Sequence, residues 1–184
     1  MGLSRRSTLL ALVGVTGLLA LGCGPRVDPQ QTDDGSLRTP YLAVAEVLSS
    51  DSVDHLDKLA AQIVQASETR ASDPGVDEML AGAGRLPSPD IANARAAFRK
   101  ISRGYIRYLV AHPDERQGLE VIHCPMAFGG EGANWVQAEG KVANPYEGAM
   151  MLRCGHRVAW SDLDESGEVV GDEYRETPDG HPTQ

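Results

Sequence analysis

Between Ile91 and His112 an apolar residue returns every three or four positions: Ile91, Ala94, Phe98, Ile101, Tyr105 and Leu109. That period commits the stretch to an α-helix with one apolar stripe. Ser88-Pro89 in front of it is a start signal, and Pro113 directly after His112 ends it. A helix with a single apolar side must be covered by something else in the chain, so the search for its partners decides the fold.

Two partners precede it. Thr39-Pro40 predicts a helix start, a hydroxyl cap with proline at the first helical position, and Tyr41, Val44, Val47 and Leu48 then share one face. After a restart at Asp51 or Ser52, Leu56, Leu59, Ala60 and Ile63 form a second stripe. Asp73-Pro74-Gly75 breaks the chain, a short helix over Val76 to Leu80 follows, and "GAGRLPSP" is a loop. Short connections favour antiparallel neighbours, so residues 39–112 are expected to form a small antiparallel helical bundle in a mainly α protein. The stripes carry no ionisable group except tyrosine, which makes the bundle a scaffold. His55 beside Asp54 and Asp57 is a surface residue, and His112 suits the negative end of a helix dipole.

The sulfur beyond Cys23, except Met79 in that short helix, lies elsewhere. "EVIHCPMAFGGEGANW" (120–135) and "GAMMLRCGH" (148–156) hold Cys124, Met126, Met150, Met151 and Cys154, with His123 and His156 beside the cysteines. "GLEVIHC" and "RVAW" are candidate short strands, and the glycines and "NPY" between them make turns, so 113–160 is expected to be a β-containing or irregular Cys-Met lobe. Thiolate and thioether donors select Cu(I) and other soft ions. Cys124 and Met126 share one short extended stretch, while Met151 and Cys154 stand three apart, on one side of a turn. Convergence of the two stretches would make a site of Cys124, Met126, Met151 and Cys154, with His123 and His156 as further donors. The same residues allow a Cys124–Cys154 disulfide, worth roughly 3–4 kcal/mol for a loop of this length. Spacing leaves both readings open. Zinc would ask for more Cys or His at paired spacing, and a cysteine nucleophile needs a base, whereas His123 on a strand points away from Cys124. No charge-relay set or carboxylate pair is visible, so the chain is not expected to be an enzyme.

The ends of the chain address it. Arg5 and Arg6 precede an apolar run, Leu9 to Leu21, too short for a membrane span and suited to a signal peptide (residues 1–22). The run closes on Gly22-Cys23, which resembles a lipoprotein lipobox and makes Cys23 the expected lipidation site; the arginine pair also resembles a twin-arginine export signal. Residues 23–38, rich in Pro, Asp, Gln and Gly, are expected to be a flexible tether. Residues 161–184 carry eight acidic residues against Arg175 alone and are expected to be a disordered tail. An exported protein permits disulfides. The formal charge of −9 leaves no basic stripe for nucleic acid.

"HCPMAFGGEGANW", "NPYEGAMMLRCG" and the helix opening "YLAVAEVL" together resemble the DUF3347 family, over about Tyr41 to Gly155. Such domains stand alone in exported proteins and also end the periplasmic adaptor subunits of heavy-metal efflux pumps. The resemblance implies a 39–160 domain in which Cys124, Met126, Met151 and Cys154 are the sulfur positions. It makes Asn134, Trp135, Asn144, Pro145 and Tyr146 a structural frame, and it gives Met150 no role. This chain is too short for an adaptor's other domains. The expectation is a lipid-anchored protein of the cell envelope that binds copper(I) or another soft metal. It would act in metal handling, efflux or resistance beside an envelope partner such as a heavy-metal efflux system. The alternative is a disulfide-stapled interaction module without metal.

Overall fold

The structure, a computed structural model, describes residues 35–169. The expected signal peptide, Cys23, residues 23–34 of the tether and residues 170–184 of the acidic tail lie outside the described residues. Among the described residues no helix is long and apolar enough to cross a membrane.

Four helices, α1 (Arg38–Ser49), α2 (Leu56–Ser67), α3 (Val76–Ala83) and α4 (Ile91–Ala111), precede a small antiparallel sheet of β1 (Leu119–Cys124), β2 (Ala133–Ala138) and β3 (His156–Val158). The protein is mainly α. The sheet order is β2-β1-β3, with Val121 opposite Val136 on one side and Val158 on the other.

The α4 stripe is buried from Ala94 to Leu109, and so are Ala97, Ser102, Ile106 and Tyr108. The buried face is wider than the stripe because α4 is covered by α3 and α1 and also by β2. Its start differs from the expected one. Asp90, not Ser88, caps the helix, its Oδ1 accepting from the amides of Ala92 and Asn93 at 2.7 and 3.2 Å. Ser88 instead accepts from the Asp90 amide. At α1, too, the expected cap is displaced: the helix begins at Arg38, Leu37 stands at the N-cap with no capping side chain of its own, and the Ser36 hydroxyl accepts from the Arg38 amide at 3.1 Å. Pro40 still fits because the first-turn amides have no intrahelical acceptor. Between α3 and α4 the backbones nearly touch. A Cβ on Gly104 would lie 2.3 Å from the Gly75 carbonyl oxygen, so only glycine permits this approach.

Tyr41 ties the helices to the sheet. Its ring packs at a tilt against Phe98 and Tyr105. Its hydroxyl, fully enclosed, accepts from the Val136 amide at 2.9 Å and exchanges a hydrogen bond with the Ser102 hydroxyl at 2.9 Å. Burial pushes its ionisation far above the ordinary tyrosine range, so the phenol stays neutral and keeps the hydrogen to share.

Two expected boundaries shift. Leu37, placed in the tether, is buried, and Arg70 donates to the Gly35 carbonyl at 3.0 Å; residues 35–38 belong to the folded body. The reading of 161–184 as a loose tail is corrected for 161–169. Leu163 is buried and bridges to Val169 across a tight turn in which Asp164 accepts from the Ser166 and Glu168 amides. Glu168 lies 3.6 Å from Arg103 of α4. Acidic composition hid two apolar residues that pack against the core.

Candidate functional site

β1 carries Cys124 to its last position, where the sulfur is fully buried. Pro125 and Met126 leave the strand, and the chain then turns sharply, with Phe128 and Gly129 both left-handed (φ 56 and 72). A phenylalanine in that conformation costs on the order of 1 kcal/mol or more. Arg99 of α4 holds it there. The guanidinium lies 4.7 Å from the centre of the Phe128 ring, pairs with Glu131 at 2.8 Å and donates to the Gly132 carbonyl at 3.2 Å.

Asn144 builds the second stretch. Entirely buried, its side-chain oxygen accepts from the amides of Tyr146 and Glu147, and its side-chain nitrogen donates to the Cys154 carbonyl at 3.0 Å. Its own amide donates to the Leu152 carbonyl at 2.9 Å. One side chain therefore folds residues 144–154 back on themselves. Gly155 completes the return to β3: at φ 141 its missing Cβ would sit 2.6 Å from Ile122 and 2.9 Å from Trp135. Tyr146 meets Trp135 edge-on at 5.8 Å and donates to the Asn134 carbonyl at 2.7 Å. The helical body fixes the same loop from outside. Asp51 accepts from the Ala149 amide at 2.9 Å and pairs with Arg95 at 2.7 Å, while Arg95 also donates to the Pro145 and Leu48 carbonyls.

These anchors bring the two thiols together. Cys124 Sγ and Cys154 Sγ are 2.9 Å apart, and both cysteines are free. Cys124 is fully buried and Cys154 partly so. Burial first, then the hydrogen bond and charge of Cys124, push the Cys154 thiol up to about 11, while the Met126 amide, which bonds that sulfur, pulls the other way. At neutral pH Cys154 is therefore a thiol, and any cation it binds must displace a proton. Met151 is partly buried and its carbonyl accepts from the Cys154 amide at 2.9 Å. Met126 is 54% exposed and Met150 84%, and with Val64 they are the exposed large apolar side chains of the described residues.

The histidines stand apart from the thiols. His123 and His156 are opposite each other across β1 and β3, with ring centres 5.4 Å apart, and His123 Nδ1 is 2.7 Å from the Asn134 side-chain oxygen. Strand alternation sends His123 to the face opposite Cys124. His156 is less basic than an ordinary histidine, chiefly through burial and then through His123. His55 is exposed at the start of α2. His112 closes α4 with its ring stacked on Tyr108 at 4.2 Å and its Nε2 3.8 Å from Asp73.

Among the described residues no group of three or more His, Cys, Asp and Glu is gathered for a metal ion. What the fold gathers is two thiols, with the Met126 amide and the Met151 carbonyl beside Cys154; thiolate is a soft donor, unlike the oxygen ligands Ca and Mg require. Tetrahedral thiolate ligands about 2.3 Å from a metal would stand about 3.8 Å apart. Disulfide sulfurs stand about 2.05 Å apart. The 2.9 Å separation lies near the middle, so a shift of about 1 Å in either direction reaches one state or the other.

Asp51, Arg95 and Arg99 were not foreseen in the sequence. They act across 32 to 98 residues, and nothing local marks them. No family model, curated protein or solved structure matches this chain.

Proposed function

We propose that this is an envelope lipoprotein, anchored at Cys23, that binds copper(I) or a similar soft metal in metal handling, efflux or resistance. The observation that carries it is the pair of thiols 2.9 Å apart, Cys124 buried and Cys154 partly open, with half-exposed Met126 beside Cys154. Thioether in water is a poor use of an apolar side chain in a folded domain and a good use of a labile soft ligand. The resemblance to the DUF3347 family supports the same reading and makes a heavy-metal efflux system the partner class. In this reading 39–112 is an antiparallel bundle acting as scaffold, and 113–160 is the Cys-Met lobe it presents. Cys124 and Cys154 are the ligands; Met126 and Met151 complete the shell, and His123 and His156, held on each other, take no part in it. No catalytic step is proposed.

A second reading rests on the same separation: the pair closes to a disulfide and the lobe is a stapled interaction module without metal. Anaerobic titration with Cu(I) against a competing chelator separates the two. The reduced chain should take up about one Cu(I), lose binding severely on Cys124→Ser or Cys154→Ser, and bind more weakly with Met126→Leu or Met151→Leu while keeping its fold. Affinity should fall as pH falls, since protons compete for the sulfurs. Equal affinity across all five proteins would remove the metal reading.

A further inference from the structure

We propose that Cys124 and Cys154 are an ordered redox couple that gates this site: Cys154 meets an external disulfide, Cys124 resolves it, and the closed pair releases soft metal. The gate rests on the soft-metal reading; the order of attack does not.

The order follows from how the two sulfurs are placed. Cys124 closes an inner strand and is wholly covered, paired at its Cα with Ala133 of β2. Cys154 leaves a turn at the surface and keeps part of its area in solvent. Half-exposed Met126 lies on that open side, its amide bonded to the Cys154 sulfur. A small disulfide can therefore reach Cys154 and not Cys124. The 2.9 Å separation then makes Cys124 the nearest nucleophile to whatever forms on Cys154. Both backbones are pinned, one in the β1 ladder and the other by Asn144 on the Cys154 carbonyl, so closing the last ångström needs side-chain rotation alone.

The chemistry balances with a disulfide oxidant such as oxidised glutathione. Cys154 is a thiol at neutral pH, so it must first give up its proton, and this step quickens as pH rises. Its thiolate then attacks one glutathione sulfur; the glutathione S–S bond breaks, a mixed disulfide forms on Cys154, and one glutathione thiolate leaves and takes up the proton Cys154 gave. Cys124, losing its proton, attacks the Cys154 sulfur and expels the second glutathione thiolate, which takes up that proton. Two electrons pass from the cysteines to glutathione, two thiols are released, and one intramolecular S–S bond remains. In that state neither sulfur is a thiolate, and the thioethers of Met126 and Met151 alone hold a soft ion weakly.

The test uses the full chain with Cys23→Ser, so that only this pair reacts, reduced and freed of reductant. It is challenged with oxidised glutathione and followed by intact mass. The parent should pass to the intramolecular disulfide, Cys124→Ser should accumulate the glutathione adduct, and Cys154→Ser should react at least about tenfold more slowly than Cys124→Ser. Cys124→Ala repeats the trap with a side chain that asks for no hydrogen bond. Equal rates in the two single variants, or faster reaction at Cys124, overturn the order. Cu(I) titration of the reduced and oxidised parent tests the gate: oxidation should weaken binding at least about a hundredfold, as expected for loss of both thiolates, and unchanged binding overturns it. A reduced parent that binds no Cu(I) removes the metal reading and the gate with it, while the mass data still decide the order.

Discussion

The four helices and the small sheet with its cysteine-bearing loops are held together in different ways. In the body, Phe98, Ile101, Tyr105 and Leu109 of α4 are buried against residues of the other helices that are equally apolar, and many small contacts share the load. In the sheet and its loops, a few directed bonds carry the shape: Asn144 on four main-chain groups, Asp51 and Arg95 across the loop, Arg99 on Phe128. Apolar packing tolerates rearrangement and rewards volume. Directed bonds fix position, which is what two sulfurs need if they are to stay within 3 Å. One apolar cluster runs through both regions, and the directed bonds are added to it where the cysteines lie.

The largest effect should come from the body. Phe98→Ala deletes a fully buried ring that touches Tyr41 and Tyr146, and should cost about 3–5 kcal/mol by urea unfolding. Because the sulfurs are placed by other residues, variant protein that remains folded should keep its rate of disulfide closure. A loss of closure rate larger than the loss of folded fraction would break the division between the two regions.

Asn144→Ala should do the reverse. It leaves the buried Tyr146 amide and the part-buried Glu147 amide and Cys154 carbonyl without this partner, at about 2–3 kcal/mol, and should slow closure of the Cys124–Cys154 pair by more than Phe98→Ala does. Thiol quantification over time after an oxidant pulse measures it.

Truncation sharpens the lower boundary of the body. Removing 163–184 uncovers the site of buried Leu163 and the Arg103–Glu168 contact and should cost about 1–2 kcal/mol. Removing 170–184 alone should change stability by no more than about 0.5 kcal/mol. Equal costs would put the boundary elsewhere.

The smallest effect should be electrostatic. The Ala149 amide, then the Arg95 guanidinium, hold the exposed Asp51 carboxyl below its usual value. The folded state thus binds that proton less readily than the unfolded chain. The contribution is complete above the ordinary carboxylate value and is lost as pH falls through the lower, folded value. Asp51→Asn should lower the urea midpoint at pH 6, and the gap from wild type should narrow by pH 2–3. A gap that stays constant would mean Asp51 acts through shape and not charge.

Much of the body was legible in the sequence, and the reason is local. The α4 stripe lies within one continuous segment, and its period needs no knowledge of what covers it. Caps were less legible: Asp90 outcompeted Ser88 because its carboxylate reaches two amides at once. β2 carries no strand signal, since Trp135, Val136 and Gln137 are buried in succession and alternation is lost where both faces are covered.

The sequence by itself determined which residues have soft-donor chemistry and that, apart from Met79 of α3, those among the described residues lie in two stretches outside the helical stripes. It also determined that the chain has apolar periodicity enough for a mainly α body. Only the tertiary structure decided that Cys124 and Cys154 meet, that His123 turns to His156 instead, and that Met126 and Met150 stay in water. Composition and period are properties of neighbours in the chain. The meeting of two sulfurs 30 residues apart depends on Asn144, Asp51, Arg95 and Arg99, whose bonds join segments that no local pattern relates.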